Sequence, residues 1–286
     1  MRQVDHHGGY TAAAGHALYT ARVYPKEYWN RTAFVAGPTG HLVGTFVLTP
    51  DGAGFQSTNP ANLIASDDEW AAPTMAEVGP DGNVWVIDWY NYIVQHNPTP
   101  RGFETGKGNA YATDLRDKKH GRIYRVVFSG SEGPSPQESS ILPESPQKIV
   151  KTLSSSNMFW RLHAQRVLVE QGDRTVVPAL VALASGRNVD SIGLDVGAIH
   201  ALRALDGLSA LDSDEGRRLL AESLEHPSHG VVRTAIEILP RDRRSLDMLL
   251  ESGVFDSTNA QVRLAALLAL AEMPADERAA NQVIQA

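Results

Sequence analysis

The chain of 286 residues contains no cysteine, which excludes disulfide bonds, thiolate metal sites, a cysteine nucleophile and covalent haem attachment within it. This absence leaves the cellular compartment open, because proteins of oxidising compartments can also lack cysteine. No apolar run approaches the roughly 18 residues that span a membrane, so we expect no membrane insertion. The net charge of -7 argues against a general affinity for nucleic acid.

Motifs for several common chemistries are also absent. GxSxG and HExxH do not occur, which removes the simplest hydrolase interpretations. The stretch 106–112 lacks the Lys-Ser/Thr ending of a phosphate-binding loop. The stretch 114–120 lacks the glycine and glutamate of an EF-hand loop. The stretch DHHGG at 5–9, together with His16, could hold a metal, but no further carboxylate follows at a fixed spacing, so we predict no metal site within this chain.

The residues up to about 128 have the composition of short β-strands broken by turns. Glycine, proline, aromatic and β-branched residues are frequent, and the stretches that fit strands are 32–38, 41–52, 74–89 and 121–128. Within 74–89, a Pro80-Asp81-Gly82 turn separates two strands. Successive residues of the second strand, NVWVIDW, point to opposite faces, and both faces are largely apolar. We expect this strand to be covered on both sides.

The residues after about 158 have a helical pattern that repeats. Four similar stretches begin at Arg161, Ala198, Arg233 and Arg263, at spacings of 37, 35 and 30 residues, and each leaves room for a second helix. Repeated helix pairs of this length indicate an α-solenoid of HEAT-like units, with a plain helical bundle as the alternative. A stretch rich in serine, proline and glutamate precedes them. The predicted domains are a sheet part at 1–128, a linker at 129–150 and helical repeats at 151–286.

A long loop carries most of the candidate functional residues. Between the stretch 74–89 and the strand at 121–128 lie the 31 residues of 90–120, rich in tyrosine, histidine and charged residues. Loops of this length inside a compact domain are usually functional or disordered. Strand, Pro-Asp-Gly turn, strand, insertion and strand is the order within one propeller blade. The expected fold is therefore a partial β-propeller of one to two blades followed by the α-solenoid.

Three candidate residues have both a functional and a structural interpretation. Asp88 could bind a cation or polarise a histidine, or it could cap the turn at the end of its strand. His96 could act as a base or a ligand, or it could be a solvated loop histidine. Arg122 could hold a carboxylate or a quinone oxygen in a fork, or it could pair with Asp117 or Glu77.

The stretches 70–97 and 119–127 together resemble a known family. GPDGNVWVIDWYN, the histidine that follows at His96, and HGRIYRV are similar to the membrane-bound dehydrogenase-like proteins of planctomycetes and verrucomicrobia. Those proteins join a propeller similar to quinoprotein glucose/sorbosone dehydrogenases to HEAT-like repeats, and often to a cytochrome c domain with a CxxCH motif. CxxCH is absent here, and a full propeller needs more residues than this chain provides.

The resemblance implies a fragment of a sugar or aldose dehydrogenase. It implies pyrroloquinoline quinone and calcium in the full-length protein, with haem c in a domain outside this chain. It also implies His96 and Asp88 as catalytic residues, and a periplasmic or secreted location. The residues that it implies for cofactor binding are Tyr90, Asn91, His120 and Arg122.

A second hypothesis is a non-catalytic scaffold. A propeller face and a concave solenoid are both good platforms for glycan or protein partners. The expected partners are therefore a carbohydrate or other small polar substrate, and a protein on the helical repeats. The N-terminal residues are too polar for a signal peptide and resemble the interior of a protein, so we expect the chain to be a piece of a longer one.

Overall fold

The computed structural model describes residues 8–94, 99, 101–107, 112–116, 119–130 and 145–285. Strands occupy the N-terminal part and α-helices the C-terminal part, which confirms the predicted order of β structure followed by α structure. The chain divides into two compact units. The sheet unit consists of 1–49 and 56–137, and the helical unit consists of 50–55 and 138–286.

Seven strands among the described residues form two antiparallel sheets, each in the order of the chain. The first sheet has the order β1-β2-β3-β4 and the second has the order β5-β6-β7. The bounds are β1 His16–Leu18, β2 Thr32–Gly37, β3 Leu42–Asp51, β4 Gly54–Ala65, β5 Pro73–Val78, β6 Val84–Asp88 and β7 Arg122–Val126. Within the sheet unit, β5 contacts both β1 and β2, so the two sheets pack side by side.

The long loop of the sequence joins two neighbouring strands, as predicted. β6 pairs with β7 antiparallel, with Val84 opposite Val126 and Asp88 opposite Arg122. The described residues between these strands contain no α-helix. This sheet has three strands among the described residues. The pairing brings the two ends of the loop together, where β6 ends and β7 begins.

Within this chain β6 is covered on one face, and not on both as we expected. Val84, Val86 and Asp88 are buried, but Trp85 and Ile87 on the opposite face are 37% and 50% exposed. Ile123, which lies opposite Ile87 on β7, is 70% exposed. The two apolar faces of β6 therefore lie in two different environments. One face packs into the sheet unit, and the other is an apolar surface among the described residues.

Aromatic rings and small aliphatic residues form the core of the sheet unit. Tyr19 and Phe34 are fully buried beside Val84 and Val86. The Tyr19 hydroxyl donates to the Gly82 carbonyl at 3.0 Å and so ties the turn between β5 and β6 to the first sheet. Burial raises the pKa of Tyr19 to about 12, so this donor stays protonated at neutral pH.

The described residues of the helical unit form nine α-helices. Their bounds are α1 Pro146–Thr152, α2 Met158–Gln171, α3 Val177–Ala184, α4 Val196–Gly207, α5 Asp214–Leu224, α6 His229–Ile238, α7 Arg243–Glu251, α8 Ala260–Leu270 and α9 Glu277–Gln285. α1 begins inside the stretch that we predicted to be a linker. α2 packs on α4, α4 on α6 and α6 on α8, while α3 contacts both α1 and α5. None of the described helices is both long and apolar enough to cross a membrane.

The same local cap begins two of these helices. The Asn157 side chain accepts a hydrogen bond from the Phe159 amide at 3.0 Å and caps α2. Arg161, one turn later, donates to the Ser155 carbonyl at 2.6 Å. At α8 the same three roles are taken by Ser257, Asn259 and Arg263. The recurring Ser-x-Asn-x-x-x-Arg pattern is therefore a helix-start signal in this chain.

His200 is a buried histidine in the core between α2 and α4. Its Nδ1 atom lies 2.8 Å from Oε1 of Gln165, so the ring N–H donates to the amide oxygen. Burial, together with the charges of Arg161 and Arg203, lowers the pKa of His200 to about 3. The ring is therefore neutral at any pH at which the protein is usually handled.

We expect His200 to make the helical unit sensitive to mild acid. The pKa of His200 in the folded protein lies below its value in the unfolded chain. Its contribution to the free energy of unfolding is therefore full above about pH 6.5 and is lost as the pH falls towards 3. The loss between pH 7 and pH 5 amounts to about 2 kcal/mol. Urea unfolding followed by helical circular dichroism checks it. His200→Gln should reduce this pH dependence and the exposed His229→Gln should not; equal curves for the His200 variant and the wild type would refute the assignment.

Candidate functional site

Asp88, at the end of β6, is the centre of a polar network in the sheet unit. Its side chain is almost completely buried, at 1% exposure. Oδ1 accepts the amide hydrogens of Ala72 at 2.7 Å and Tyr90 at 2.8 Å. Oδ2 accepts the Tyr124 hydroxyl at 3.1 Å. One carboxylate thus joins the residue before β5, the start of the long loop and the middle of β7.

Tyr90 takes an unusual backbone conformation beside this carboxylate. Its φ angle of 52° lies in the left-handed region, which non-glycine residues enter uncommonly. The hydrogen bond from the Tyr90 amide to Asp88, two residues earlier, is the local contact by which aspartate side chains stabilise turns. Asp88 therefore fixes the direction in which the chain leaves β6. This contact corresponds to the capping interpretation of Asp88.

Arg122, at the start of β7, lies over the Tyr90 ring. Its guanidinium carbon is 3.4 Å from the ring centroid, within the range of a cation–π contact. Its Nη1 group donates to the Tyr124 hydroxyl oxygen and to Oδ2 of Asp68, both at 3.3 Å. The sequence allowed an ion pair with Asp117 or Glu77; Asp117 lies outside the described residues, and the described acidic partner is Asp68. The Tyr124 hydroxyl and the neighbouring charges raise the pKa of Arg122 above its usual range.

Asp68 is the acidic partner at the surface of this network. The amide hydrogen of Trp70 donates to its carboxylate at 3.0 Å. This bond holds the pKa of Asp68 below its usual range, and the Tyr90 hydroxyl and Arg122 act in the same direction. The Asp68 side chain remains 36% exposed. A charged carboxylate and a charged guanidinium therefore lie side by side at the protein surface.

Two further aromatic rings, those of Trp70 and Tyr92, continue from the Tyr90 ring beside this ion pair. The centroid of Trp70 lies 6.0 Å from that of Tyr90 and 5.6 Å from that of Tyr92, at tilted angles. All three rings are partly exposed. We name Asp68, Trp70, Tyr90, Tyr92 and Arg122 the aromatic rim. It presents π-faces, a hydrogen-bond donor and a hydrogen-bond acceptor on one surface.

The structure describes two of the other predicted site residues, Asn91 and His120. Asn91 is buried, and its side-chain oxygen accepts the Ile93 amide hydrogen at 3.1 Å, a local turn contact. His120 is exposed, two residues before Arg122. His96 lies outside the described residues. The structure thus brings Asp88, Tyr90 and Arg122 into one network.

The donor groups around the rim do not fit a quinone with calcium. Within the described ranges, no three histidine or acidic side chains come together as a metal site would require. Arg122 is engaged by Tyr90, Tyr124 and Asp68, and the Asn91 oxygen already accepts a backbone hydrogen. We therefore derive no step through either group.

Sequence reasoning missed three members of the network and one buried histidine. Asp68 lies far along the chain from Arg122, Trp70 from the rings of Tyr90 and Tyr92, and Tyr124 from Asp88, so no spacing marks these contacts. Of the three, Tyr124 was the easiest to predict, because it falls within a predicted strand. His41 is buried with a φ of 56°, and its ring contacts the Ala71 carbonyl.

Residues 1–130 match a protein-family model described as a domain of unknown function, DUF7133. The matched stretch contains the seven described strands and the whole aromatic rim. The description assigns no activity to it. No match was found among curated proteins.

Proposed function

We propose that the sheet unit belongs to a β-propeller and that the helical unit is a HEAT-like scaffold. Two consecutive antiparallel sheets that pack side by side support this proposal, because successive blades have that relation. The exposed apolar face of β6 and β7 also supports it. A further blade would cover Ile87 and Ile123, and contiguous apolar surface of this kind usually marks an interaction site.

We infer that the aromatic rim binds a carbohydrate without transforming it. The observation that carries this inference is the contact of Arg122 with the Tyr90 ring, in which Asp88 holds the Tyr90 amide and Asp68 holds the Arg122 guanidinium. Ligand sites combine aromatic surface with a few fixed polar groups. A sugar ring offers C–H groups to a π-face and hydroxyl groups to a carboxylate and a guanidinium, so its chemistry matches the rim.

Binding without catalysis is favoured by the state of the polar groups. A general base needs a free lone pair within reach of the substrate proton. The Asp88 carboxylate instead accepts three hydrogen bonds from the protein, and its side chain is buried. The dehydrogenase activity implied by the resemblance stays a prediction, in which His96 would be the base.

A glycan array probed with the full chain tests the binding function. We expect one class of glycan to bind, and Trp70→Ala to weaken that binding at least tenfold, about 1.4 kcal/mol, by removing the central ring. Trp85→Ala removes a tryptophan from the same unit but outside the rim, and should leave binding unchanged. Absence of any glycan signal, or binding that survives Trp70→Ala, would remove the rim from consideration.

A dye-reduction assay separates binding from oxidation. The full chain would be supplied with pyrroloquinoline quinone, calcium and a panel of sugars. We expect no turnover. Sugar-dependent dye reduction that disappears in His96→Ala would contradict a purely binding function and favour the dehydrogenase.

A further inference from the structure

Three Asp-Gly pairs occur in the sequence, at 51–52, 81–82 and 206–207. In such a pair the glycine nitrogen can attack the side-chain carboxyl group of the aspartate, because the glycine has no Cβ atom to hinder the approach. The reaction needs a glycine amide that is free of hydrogen bonds and open to solvent. The three pairs differ in this respect, so the fold decides which of them can react.

The pair at 51–52 lies at the tip of the hairpin formed by β3 and β4. Asp51 is the last residue of β3, and Gly52 is the first of the two residues before β4. Both residues are exposed. The Gly52 amide has no hydrogen-bond partner among the described residues. A Cβ atom placed on Gly52 would meet no heavy atom within 4 Å apart from its chain neighbours, so the space around this glycine is open.

The pair at 81–82 is held in the turn between β5 and β6. The Gly82 amide hydrogen is donated to the Gly79 carbonyl at 2.9 Å. The Asp81 carboxylate is paired with Arg125. Attack of the glycine nitrogen on the carboxyl group would have to break both contacts. This pair is therefore protected by the fold.

The pair at 206–207 lies at the end of a helix. Gly207 is the last residue of α4, and its amide takes part in the hydrogen bonds of that helix. A Cβ atom on Gly207 would lie 2.7 Å from Cγ2 of Val169, so α2 packs against this glycine. The nitrogen cannot attack Asp206 unless the last turn of α4 unwinds.

We propose that Asp51 is a site of spontaneous isomerisation to isoaspartate. The Gly52 nitrogen forms a bond to Cγ of Asp51, and the carboxyl OH group leaves with the amide hydrogen as water, which gives a cyclic succinimide. Water then opens the ring. Opening at Cγ restores aspartate, whereas opening at the main-chain carbonyl carbon gives isoaspartate. One water molecule leaves and one enters, so the mass and the oxidation state of the chain are unchanged.

The modification changes the backbone at the tip of the hairpin. In isoaspartate the chain runs through the former side chain of Asp51, which adds one methylene group to the backbone, and the former main-chain carbonyl carbon becomes a free carboxylate. The length of a hairpin loop fixes the register of its two strands. The extra methylene group therefore alters the geometry with which β3 turns into β4. This inference does not depend on the proposed carbohydrate binding.

Incubation of the full chain at neutral pH and 37 °C, followed by digestion with a glutamyl endopeptidase, tests the proposal. Cleavage after glutamate places the three pairs in separate peptides, 28–69, 78–104 and 171–215. Electron-transfer mass spectrometry locates and quantifies isoaspartate in each peptide. We expect at least about tenfold more isoaspartate in 28–69 than in either other peptide, because a local opening that costs about 1.4 kcal/mol already slows attack tenfold.

The same chain unfolded in guanidinium chloride is the control for intrinsic reactivity. All three pairs consist of the same two residues, so we expect comparable amounts of isoaspartate in the three peptides once the fold is lost. Asp51→Glu should abolish the signal from 28–69 in the folded protein, because a six-membered imide forms much more slowly than a five-membered one. Isoaspartate spread equally over the three peptides of the folded protein, a signal in 28–69 that needs unfolding, or one that persists in Asp51→Glu would each overturn the proposal.

Discussion

Replacing Asp88 by alanine is expected to lower the free energy of unfolding of the sheet unit by about 4 kcal/mol. The substitution removes the acceptor of three hydrogen bonds at a side chain that is 1% exposed. The amide hydrogens of Ala72 and Tyr90 would then lack partners. Leaving a buried donor unsatisfied costs about 1–3 kcal/mol each. Urea unfolding followed by tryptophan fluorescence reports mainly on this unit, because only Trp160 lies in the helical unit.

Two further variants separate the contributions of the carboxylate. Asp88→Asn keeps an oxygen for the two amide hydrogens and loses the charge, so we expect a cost of about 1–2 kcal/mol. Tyr124→Phe removes one hydroxyl and should cost about 1 kcal/mol. Equal stability of Asp88→Ala and Asp88→Asn would contradict the role of Oδ1 as a shared acceptor.

Replacing Gly15 by alanine is expected to cost about 3 kcal/mol, at the upper end of overpacking effects. Gly15 lies where the two sheets meet, and its amide hydrogen is donated to the Thr74 carbonyl at 2.8 Å. A Cβ atom at Gly15 would lie 2.8 Å from that carbonyl oxygen and 2.9 Å from Cα of Met75. Both are backbone atoms, so no side-chain rotation relieves the clash. β5 would have to move away from β1.

Gly121→Ala is the matched control for this substitution. Gly121 belongs to the same unit, and a Cβ atom there would lie 3.6 Å from its nearest neighbour, the Asp88 carbonyl oxygen, which is an ordinary contact. We expect a change within about 0.5 kcal/mol. The same urea titration measures both variants. A Gly15→Ala protein as stable as Gly121→Ala would mean that the two sheets do not meet at this glycine.

Local pattern was sufficient to predict much of the fold. The stretches 32–38, 41–52 and 121–128 contain β2, β3 and β7, and the Pro80-Asp81-Gly82 turn lies between β5 and β6. Gly82 has a φ of 75°, which explains why the turn uses glycine. In the helical unit, the four repeated stretches fall in α2, α4, α6 and α8. Each of these signals depends on residues close together in the chain.

Two strands that the sequence did not predict, β1 and β4, are defined by the strands with which they pair. β4, GFQSTNPANLIA, is poor in β-branched and aromatic residues, and most of its residues are exposed. It is a strand because it lies beside β3 at the edge of the first sheet. β1, His16–Leu18, is too short to show a pattern and is defined by its register with β2. Neither strand has a local signal of its own.

Only those residues of the candidate site that lie at the ends of strands could be predicted. Asp88, Tyr90 and Arg122 were marked by the strand ends that carry them. Their partners lie far away in the chain: Ala72 is 16 residues from Asp88, and Asp68 is 54 residues from Arg122. Contacts at such separations arise from the fold and leave no spacing in the sequence. The burial of Asp88 likewise depends on the packing of β5 beside β6.

The hydrogen exchange of the Tyr90 amide tests most directly whether Asp88 organises the aromatic rim. Tyr90 lies outside the described strands, so its bond to Asp88 is the contact that would protect this amide. We predict slow exchange in the wild type and fast exchange in Asp88→Ala, while the Val86 amide in β6 stays protected. A Tyr90 amide that exchanges freely in the wild type, or that remains equally protected without the carboxylate, would contradict the account.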